Sequence, residues 1–426
     1  MKAVIMGCGR VGARVASLLD KVQGEIFRLP IDSRIAVMGP PGTGKTTTMV
    51  VRLRQKLDLA FLDEEEVALV EGIDPAGLEH PDSWILFTPS KSLELYVAQA
   101  LGRAGVPVHE DRLRTWDNYR LDTARNVLRI LRSGTNAGLA LHEEDAMLAE
   151  GTLQDQIAWF EDFDAWQQAL FLRQIGAEAE RLKGAGDARA VALGRRIEQA
   201  IVRAGGSVLQ LLGELAGYAD DLTAFAGGLS EGIRKGLAAP GNQFLRADPG
   251  FIDALVAVAA ELQRQGGDLP DAEDDDADDD DEAPEHSADE RQFALNLFRR
   301  AMRTLAIGQA TGRKPGERRR AARVAALIRD RGHELPDLAE TGRALVLQRA
   351  ARRLARGPSA YLASVPLRYR RFRRTRRAEG RWYGEVPQAA QLTHPAEVDL
   401  IMLAMLRIAN AFEQDRLMAN RLGDRR

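Results

Sequence analysis

The chain is poor in cysteine, with Cys8 as the sole example among 426 residues. A single cysteine excludes an intramolecular disulfide framework and agrees with a reducing compartment. The sequence also has no apolar run of membrane-spanning length, and its first six residues run directly into glycines rather than into a signal-peptide core. We therefore expect a cytoplasmic protein with no membrane partner.

Histidine is also scarce, and its positions follow no pattern that chemistry requires. The spacing matches neither a set of metal ligands nor a Ser-His-Asp or Cys-His arrangement. We therefore expect no metal other than the Mg²⁺ that accompanies a nucleotide. The six histidines are His80, His109, His142, His286, His333 and His394.

Lysine and arginine are absent from residues 266–290, where acidic residues accumulate, as in the run from Asp278 to Glu282. Such a run repels itself and buries little apolar area, so it predicts a disordered, solvated loop. A second interpretation is an acidic flap that competes with DNA for a basic groove. The formal net charge of −3 hides this segregation, because arginines concentrate further along the chain.

The basic segment, residues 368–377, interleaves arginines with aromatic residues. Guanidinium groups bind phosphates through a planar fork, and aromatic faces can stack on unpaired bases, which suits a channel for single-stranded DNA. The alternative is a solvated helix face or a patch that pairs with the acidic run. The candidate nucleic-acid contacts here are Arg370, Arg371, Arg373 and Arg374, with Tyr369, Phe372, Trp382 and Tyr383 as candidate stacking residues.

A complete phosphate-binding loop lies between an apolar run, residues 34–38, and a helix-forming run that follows it. The order predicted is strand, glycine loop and helix, which is the context that such a loop requires. Its glycines let backbone N–H groups surround phosphates, and the helix dipole favours negative charge. Lys45 would reach the β- and γ-phosphates of ATP, and the Thr46 hydroxyl would hold Mg²⁺. The predicted nucleotide-binding residues are Gly39, Pro40, Pro41, Gly42, Thr43, Gly44, Lys45, Thr46 and Thr47.

Strand and helix patterns alternate from residue 34 to about residue 130, which indicates a parallel α/β sheet. Within this region we expect one helix from Leu53 to Leu69. From about residue 140 the pattern changes to long helices, including 188–203 and 208–222, and predicts an all-helical insertion. The predicted divisions are 1–19, 20–135, 136–390 and 391–426.

These motifs, in this order, resemble the N-terminal half of a superfamily 1 helicase of the UvrD/Rep type. Gln23 lies where that family places its adenine-reading glutamine, and Phe87 to Lys91 is similar to its second motif. Thr115-Trp116 matches a Thr-aromatic pair before the insertion, and Glu397 to Leu403 resembles the helix that closes it. The resemblance implies a RecA-like P-loop NTPase sheet interrupted by a helical insertion, ATP-driven movement on single-stranded DNA, and catalytic roles for Lys45 and Thr46. The residues that it implies contact single-stranded DNA are Thr88, Ser90, Lys91, Thr115 and Trp116.

The sequence departs from that family in having no Walker B motif after the insertion. The apolar run Leu59 to Glu64 ends in Asp-Glu, but it follows Lys45 too closely and is better explained as part of the next helix. We therefore expect hydrolysis only if the carboxylates come from a partner or from a missing C-terminal half. A nucleotide-gated adaptor without turnover is the alternative.

A second glycine motif, Gly-x-Gly-x-x-Gly, begins at Gly7 and has Asp32 downstream, as a dinucleotide fingerprint requires. The first residues resemble the start of a TrkA-type potassium-uptake regulator. A dinucleotide site needs neighbouring βαβ units, and here the phosphate loop's own strand is predicted directly after Asp32. A borrowed or misassigned start, or a simple strand-helix extension over residues 1–19, is therefore favoured over an NAD site. An NAD-sensing regulator built on residues 1–33 is the third alternative.

Overall fold

The computed structural model describes residues 23–71, 79–131, 140–141, 147–264, 290–312, 319–384 and 392–413. The chain divides into two units, residues 1–127 (unit 1) and 128–426 (unit 2). The predicted N-terminal extension, with Cys8 and the Gly-x-Gly-x-x-Gly motif, lies outside the described residues, as do residues 266–289 of the acidic run.

Unit 1 contains a small β-α-β arrangement. In chain order its main elements are residues 23–28 (α1), Lys45–Leu57 (α2), Glu64–Glu71 (α3), Leu86–Thr88 (β1), Lys91–Arg103 (α4), Leu113–Thr115 (β2) and Trp116–Asp122 (α5). Strands β1 and β2 pair in parallel, with Leu86 opposite Leu113 and Thr88 opposite Thr115. Helix α4 connects them and buries Val97 and Leu101 in the same core as Val50 of α2.

The predicted RecA-like parallel sheet is wrong. In the described part of unit 1 the sheet has two strands, β1 and β2. Residues 34–38, predicted as the strand before the phosphate loop, are not a strand, and the Met38 side chain is 91% exposed. Apolar composition favours a strand, but a strand needs a neighbour to pair its N–H and C=O groups, and none is placed beside this segment in the described residues.

The helix predicted from Leu53 to Leu69 is also wrong, because α2 ends at Leu57 and α3 begins at Glu64. The residues between them form a short 3₁₀ turn, which Asp58 caps by accepting a hydrogen bond from the Ala60 N–H. Asp63 then accepts a hydrogen bond from the Glu66 N–H at 2.8 Å. Aspartates at these positions favour caps over a helix interior, which explains the break.

Unit 2 is built mainly from helices, in which α12 packs against α6, α8 and α10. Its helices are Gln156–Lys183 (α6), Ala188–Arg203 (α7), Val208–Ala247 (α8), Phe251–Arg264 (α9), Glu290–Thr311 (α10), Arg319–Asp330 (α11), Ala339–Ala355 (α12), Gly357–Ala363 (α13), Val365–Ala378 (α14) and Pro395–Glu413 (α15). Two short strands, Ala140–Leu141 (β3) and Leu392–Thr393 (β4), pair in parallel. Across the described part of the chain, no helix has the length and apolarity to cross a membrane.

The arginine-rich helix α14 is anchored to α6 and α15 by buried polar contacts. Arg376 donates two hydrogen bonds to the Asp162 carboxylate, at 2.8 and 2.7 Å, and Trp382 Nε1 donates a third at 2.7 Å. Arg373 forms an ion pair with the fully buried Glu397, which also accepts a hydrogen bond from the Tyr369 hydroxyl. Part of the positive charge in this segment is therefore used inside unit 2.

The Asp162 side chain is expected to stabilise unit 2 in its charged form. Burial acts to raise its pKa, but the hydrogen bonds from Arg376 and Trp382 and the charges of Arg376 and Arg381 outweigh burial, so the pKa is lowered. A lowered carboxyl pKa contributes stability above the unfolded value of about 3.9, and this contribution is lost as the pH falls through the folded pKa.

We therefore expect Asp162→Asn to destabilise the protein by about 3 kcal/mol at neutral pH, because it removes the α6 carboxylate that Arg376 and Trp382 share, and the other carboxylate paired with Arg376, Glu379, is more exposed. The difference from the parent should shrink as the pH falls below 4, which thermal unfolding at several pH values would measure. Glu161→Gln, at the exposed neighbouring position on α6, is the control. Equal melting temperatures for Asp162→Asn and the parent at neutral pH would contradict this role.

Candidate functional site

The loop from Gly39 to Thr46 adopts a backbone that its glycines permit. Gly42 and Gly44 have φ values of 85° and 74°, in the left-handed region that side chains with a Cβ rarely occupy. The Thr43 hydroxyl donates a hydrogen bond to the Pro40 carbonyl at 3.0 Å, across the turn. Pro40 and Pro41 are exposed on the outside of the turn. The glycines are therefore required by the conformation of this loop.

The Lys45 ammonium is folded back onto the loop. Its Nζ donates to the carbonyls of Gly39 and Pro40 at 2.8 and 2.6 Å. Lys45 is also the first residue of α2, and its N-cap, Gly44, provides no side-chain capping bond. A cation and the positive end of a helix are therefore presented by the same loop, and both favour an anion.

Two further predicted nucleotide contacts, Thr46 and Thr47, lie in the first turn of α2, where Thr46 is half-buried and Thr47 is exposed. The first turn contains no acidic residue that would oppose a phosphate. Thr48 is buried and its hydroxyl donates to the Gly44 carbonyl at 3.0 Å. Thr48 thus has a structural role, which leaves Thr46 as the candidate Mg²⁺ ligand in this turn.

Gln23 lies beside the loop, although α1, which carries it, lies well before the loop in the sequence. A Cβ placed on Gly44 would be 3.3 Å from the Gln23 side-chain nitrogen. The structure therefore brings the predicted adenine-reading residue together with the phosphate loop.

Arg52 explains how Gln23 is held there. This α2 residue is only 7% exposed, and its guanidinium donates to the carbonyls of Ile26, Leu29 and Pro30 at 2.7, 2.7 and 2.8 Å. Burial lowers the Arg52 pKa, although the Glu66 charge acts in the opposite direction. Arg52 thereby ties the end of α1 to the helix that carries Lys45.

Glu66 of α3 holds the same segment through Ile31, and we call Arg52 and Glu66 the clamp residues. Its carboxylate accepts a hydrogen bond from the Ile31 N–H at 2.5 Å and pairs with Lys56. Burial acts to raise the Glu66 pKa, but the hydrogen bonds from Lys56, Asp63 and Ile31 outweigh it and lower the pKa. We did not predict either clamp residue from the sequence. Arg52 falls one helical turn after the buried Thr48, and a charged residue at such a position was the available signal.

Four of the residues predicted to contact single-stranded DNA lie where β1 and β2 end. They are Thr88, Ser90, Lys91 and Thr115. Thr88 and Thr115 are opposite each other in the ladder, and α5 follows Thr115 directly whereas α4 begins at Lys91. Thr88 is buried, and its hydroxyl donates to the Ser90 carbonyl at 3.2 Å. Ser90 caps α4 and Thr115 caps α5, each accepting a backbone hydrogen bond at 3.3 Å. Lys91 opens α4 with a side chain that is 68% exposed and paired with Glu94.

Trp116 lies at this same edge in an aromatic cluster with Phe87 and Tyr119. The Phe87 ring packs edge-on against Trp116 and Tyr119, at centroid distances of 5.4 and 4.9 Å. Phe87 is buried, whereas Trp116 is 44% exposed. The cluster thus holds the indole by ring contacts with Phe87 and Tyr119 and leaves part of it open. Tyr119 was missed because it lies outside the Thr-aromatic pair.

The predicted contacts in the basic segment lie in unit 2 and have different surroundings. Arg374 is exposed, Arg370 and Arg371 are half-buried, and Arg373 is paired with Glu397 as described above. The expectation that Tyr369, Phe372 and Tyr383 stack on bases is wrong, because these side chains are 2%, 0% and 4% exposed. They pack against Trp159 and Phe163, which α6 contributes to the core of unit 2.

No protein-family model, curated protein or solved structure matches this chain. The resemblance to UvrD/Rep-type helicases therefore depends on the motifs themselves.

Removing the Arg52 clamp should release α1 from the phosphate loop. We expect Arg52→Ala to increase amide hydrogen exchange in residues 23–31 by at least about ten-fold, because hydrogen bonds to several carbonyls are lost together. Mass-spectrometric exchange on the full chain measures this effect. Arg54→Ala, which removes an exposed arginine from the same helix, is the matched control and should leave exchange in this segment unchanged. If Arg52→Ala leaves amide exchange in residues 23–31 unchanged, Arg52 does not hold this segment.

Proposed function

We propose that this chain binds ATP through the loop Gly39 to Thr46. The observation that carries the proposal is the position of Lys45, whose ammonium is held between two loop carbonyls beside two left-handed glycines. A glycine loop that leads into a helix N-terminus offers backbone N–H groups to an anion, and together with the Lys45 cation this suits the multiple charges of a triphosphate. Gln23 beside Gly44 supplies a side-chain amide that could read the base.

The Thr46 hydroxyl is the group in this loop that suits Mg²⁺, which prefers oxygen ligands and shares them with substrate phosphates. Bound Mg²⁺ would supply charge neutralisation at the phosphates. This chain's own contribution is to bind the phosphates with Lys45 and the loop N–H groups, and to orient the metal with Thr46.

We further propose that single-stranded DNA binds at the ends of β1 and β2. Supporting features are the half-exposed Trp116 ring, the exposed Lys91 side chain, and Ser90 and Thr115 at the same edge, whereas Thr88 is buried and its hydroxyl is bonded to the Ser90 carbonyl. An aromatic face with a nearby cation is the usual combination for an unpaired strand. A UvrD/Rep-like DNA helicase couples ATP binding and hydrolysis to movement along single-stranded DNA, and we propose that this chain is the ATP-binding portion of such an enzyme.

A nucleotide-gated adaptor is the second candidate, and the surroundings of Asp63 favour it. Asp63 caps α3, and the nearby Glu66 is committed to Lys56 and Ile31. Asp63 of the Asp63-Glu64 pair, a candidate catalytic carboxylate, is thus used as a helix cap, and Glu64 is exposed at the start of α3. A single-turnover assay with and without single-stranded DNA separates the two candidates. Phosphate release that DNA stimulates supports the helicase, whereas tight ATP binding without release supports the adaptor.

Lys45→Ala should weaken ATP binding at least about ten-fold, because a charge-assisted contact to phosphate contributes about 1.5–3 kcal/mol. Isothermal titration with Mg-ATP measures the change. Arg54→Ala removes an exposed positive charge from the same helix and should bind ATP like the parent. Retained ATP affinity in Lys45→Ala would refute the phosphate-loop assignment.

Trp116→Ala should weaken the binding of single-stranded DNA about ten-fold, because one base-aromatic stack is worth about 1–3 kcal/mol. Tyr96→Ala is the matched control, since Tyr96 is an exposed aromatic residue of α4 in the same unit. Fluorescence anisotropy with a labelled oligothymidylate measures both variants. If both variants lose affinity equally, or neither does, Trp116 is not the stacking residue.

A further inference from the structure

A cleft of about 500 Å³ in unit 2 is lined by arginines that lie far apart in the sequence. Three of them, Arg299, Arg300 and Arg303, are on α10. Arg234 of α8 and Arg352 of α12 line the same cleft. The tertiary packing of three helices therefore gathers five guanidinium groups at one place.

The base of this arginine cleft is part of the hydrophobic core of unit 2. Ile233 and Leu237 of α8 line the cleft and are 3% and 7% exposed. Both belong to the core cluster that α8, α9, α10 and α12 share. Gln348 of α12 is also fixed, because its amide donates to the Ala226 carbonyl at 3.0 Å and to the Ser230 hydroxyl at 2.9 Å. The arginines therefore extend from a well-packed floor.

Among the described residues that line the cleft, the charged side chains are arginines. The other polar members of that described lining are Ser230, Asn296 and Gln348, and none of its residues is Asp or Glu. Arg299 Nη1 donates to the Asn296 side-chain oxygen at 3.1 Å, and Arg234 pairs with the exposed Glu231 outside the cleft. Like charges held around one concave space raise one another's energy, and an anion in that space lowers it.

We propose that the arginine cleft binds phosphate groups of a polyanion. Each guanidinium can form two parallel hydrogen bonds with a phosphate, and several arginines together match a ligand with several charges. The phosphates can come from a nucleic-acid strand or from a free polyphosphate. The cleft belongs to unit 2 and shares no residue with the phosphate loop, so this inference goes beyond the proposed ATP site and does not depend on it.

The test compares two pairs of substitutions in the full chain, both made in a Lys45→Ala parent so that the phosphate loop does not contribute. Arg299→Gln with Arg303→Gln removes two charges from the cleft, and Gln preserves helix propensity. Arg189→Gln with Arg195→Gln removes two exposed charges from α7 of the same unit, so the net charge changes equally. The probes are inorganic tripolyphosphate, by calorimetry, and a labelled oligothymidylate, by anisotropy.

We expect the cleft variant to bind tripolyphosphate at least about ten-fold more weakly than its parent, and the α7 variant to change less than about two-fold. A parallel loss for oligothymidylate, with a salt dependence lower by about 0.7 per lost phosphate contact, assigns the site to a single strand. A loss confined to tripolyphosphate assigns it to a free polyphosphate. Unchanged affinity for both probes, or an equal loss in the α7 variant, overturns the proposal.

Should the double change in α10 lower the melting temperature, Arg234→Gln repeats the test from α8, where this side chain is 74% exposed. Weaker tripolyphosphate binding in Arg234→Gln supports the site, and unchanged binding overturns it.

Discussion

The candidate nucleotide site depends on one buried cation, Arg52. Its guanidinium faces the carbonyls that end α1, so a short segment distant in sequence is fixed to the helix that carries Lys45. Removing a guanidinium from water is costly, and several hydrogen bonds to carbonyls offset that cost. The position of Gln23 beside Gly44 follows from this arrangement. Glu66 adds a second attachment through Ile31, so two charged residues organise a region with little apolar core of its own.

Features that depend on neighbouring residues were predicted well, and those that depend on distant contacts were not. Helix α7 has the predicted bounds, Ala188–Arg203, because Asp187 caps a strongly amphipathic run. The strand at 34–38 failed because pairing requires a partner elsewhere in the chain. Helix α8 continues to Ala247, past its predicted end at residue 222 and through Pro240, because packing against α12 outweighs the cost of a proline. The Arg52 clamp joins segments far apart in sequence and could not be derived from local pattern.

The arginines of this chain show why clustering in sequence is a weak guide to an exposed charged surface. In the basic segment, Arg368 is buried, and loss of solvent lowers its pKa to about 10. Arg373 and Arg376 are committed to carboxylates of neighbouring helices. In the arginine cleft, by contrast, Arg234, Arg303 and Arg352 are separated by dozens of residues in the sequence and are brought together by helix packing. In the basic segment, where arginines are dense along the sequence, part of the charge is thus used inside unit 2.

The contacts of Lys45 with Gly39 and Pro40 bear on the energetics of any ligand that the loop accepts. An ammonium that already donates two hydrogen bonds exchanges partners when a phosphate arrives, so the heat released is a difference between two sets of bonds. The same contacts restrain the loop backbone, and a restrained loop loses less conformational entropy on binding. We therefore expect a phosphate to bind here with a smaller enthalpy than its new bonds alone would give, because the bonds of Lys45 are exchanged and not simply added.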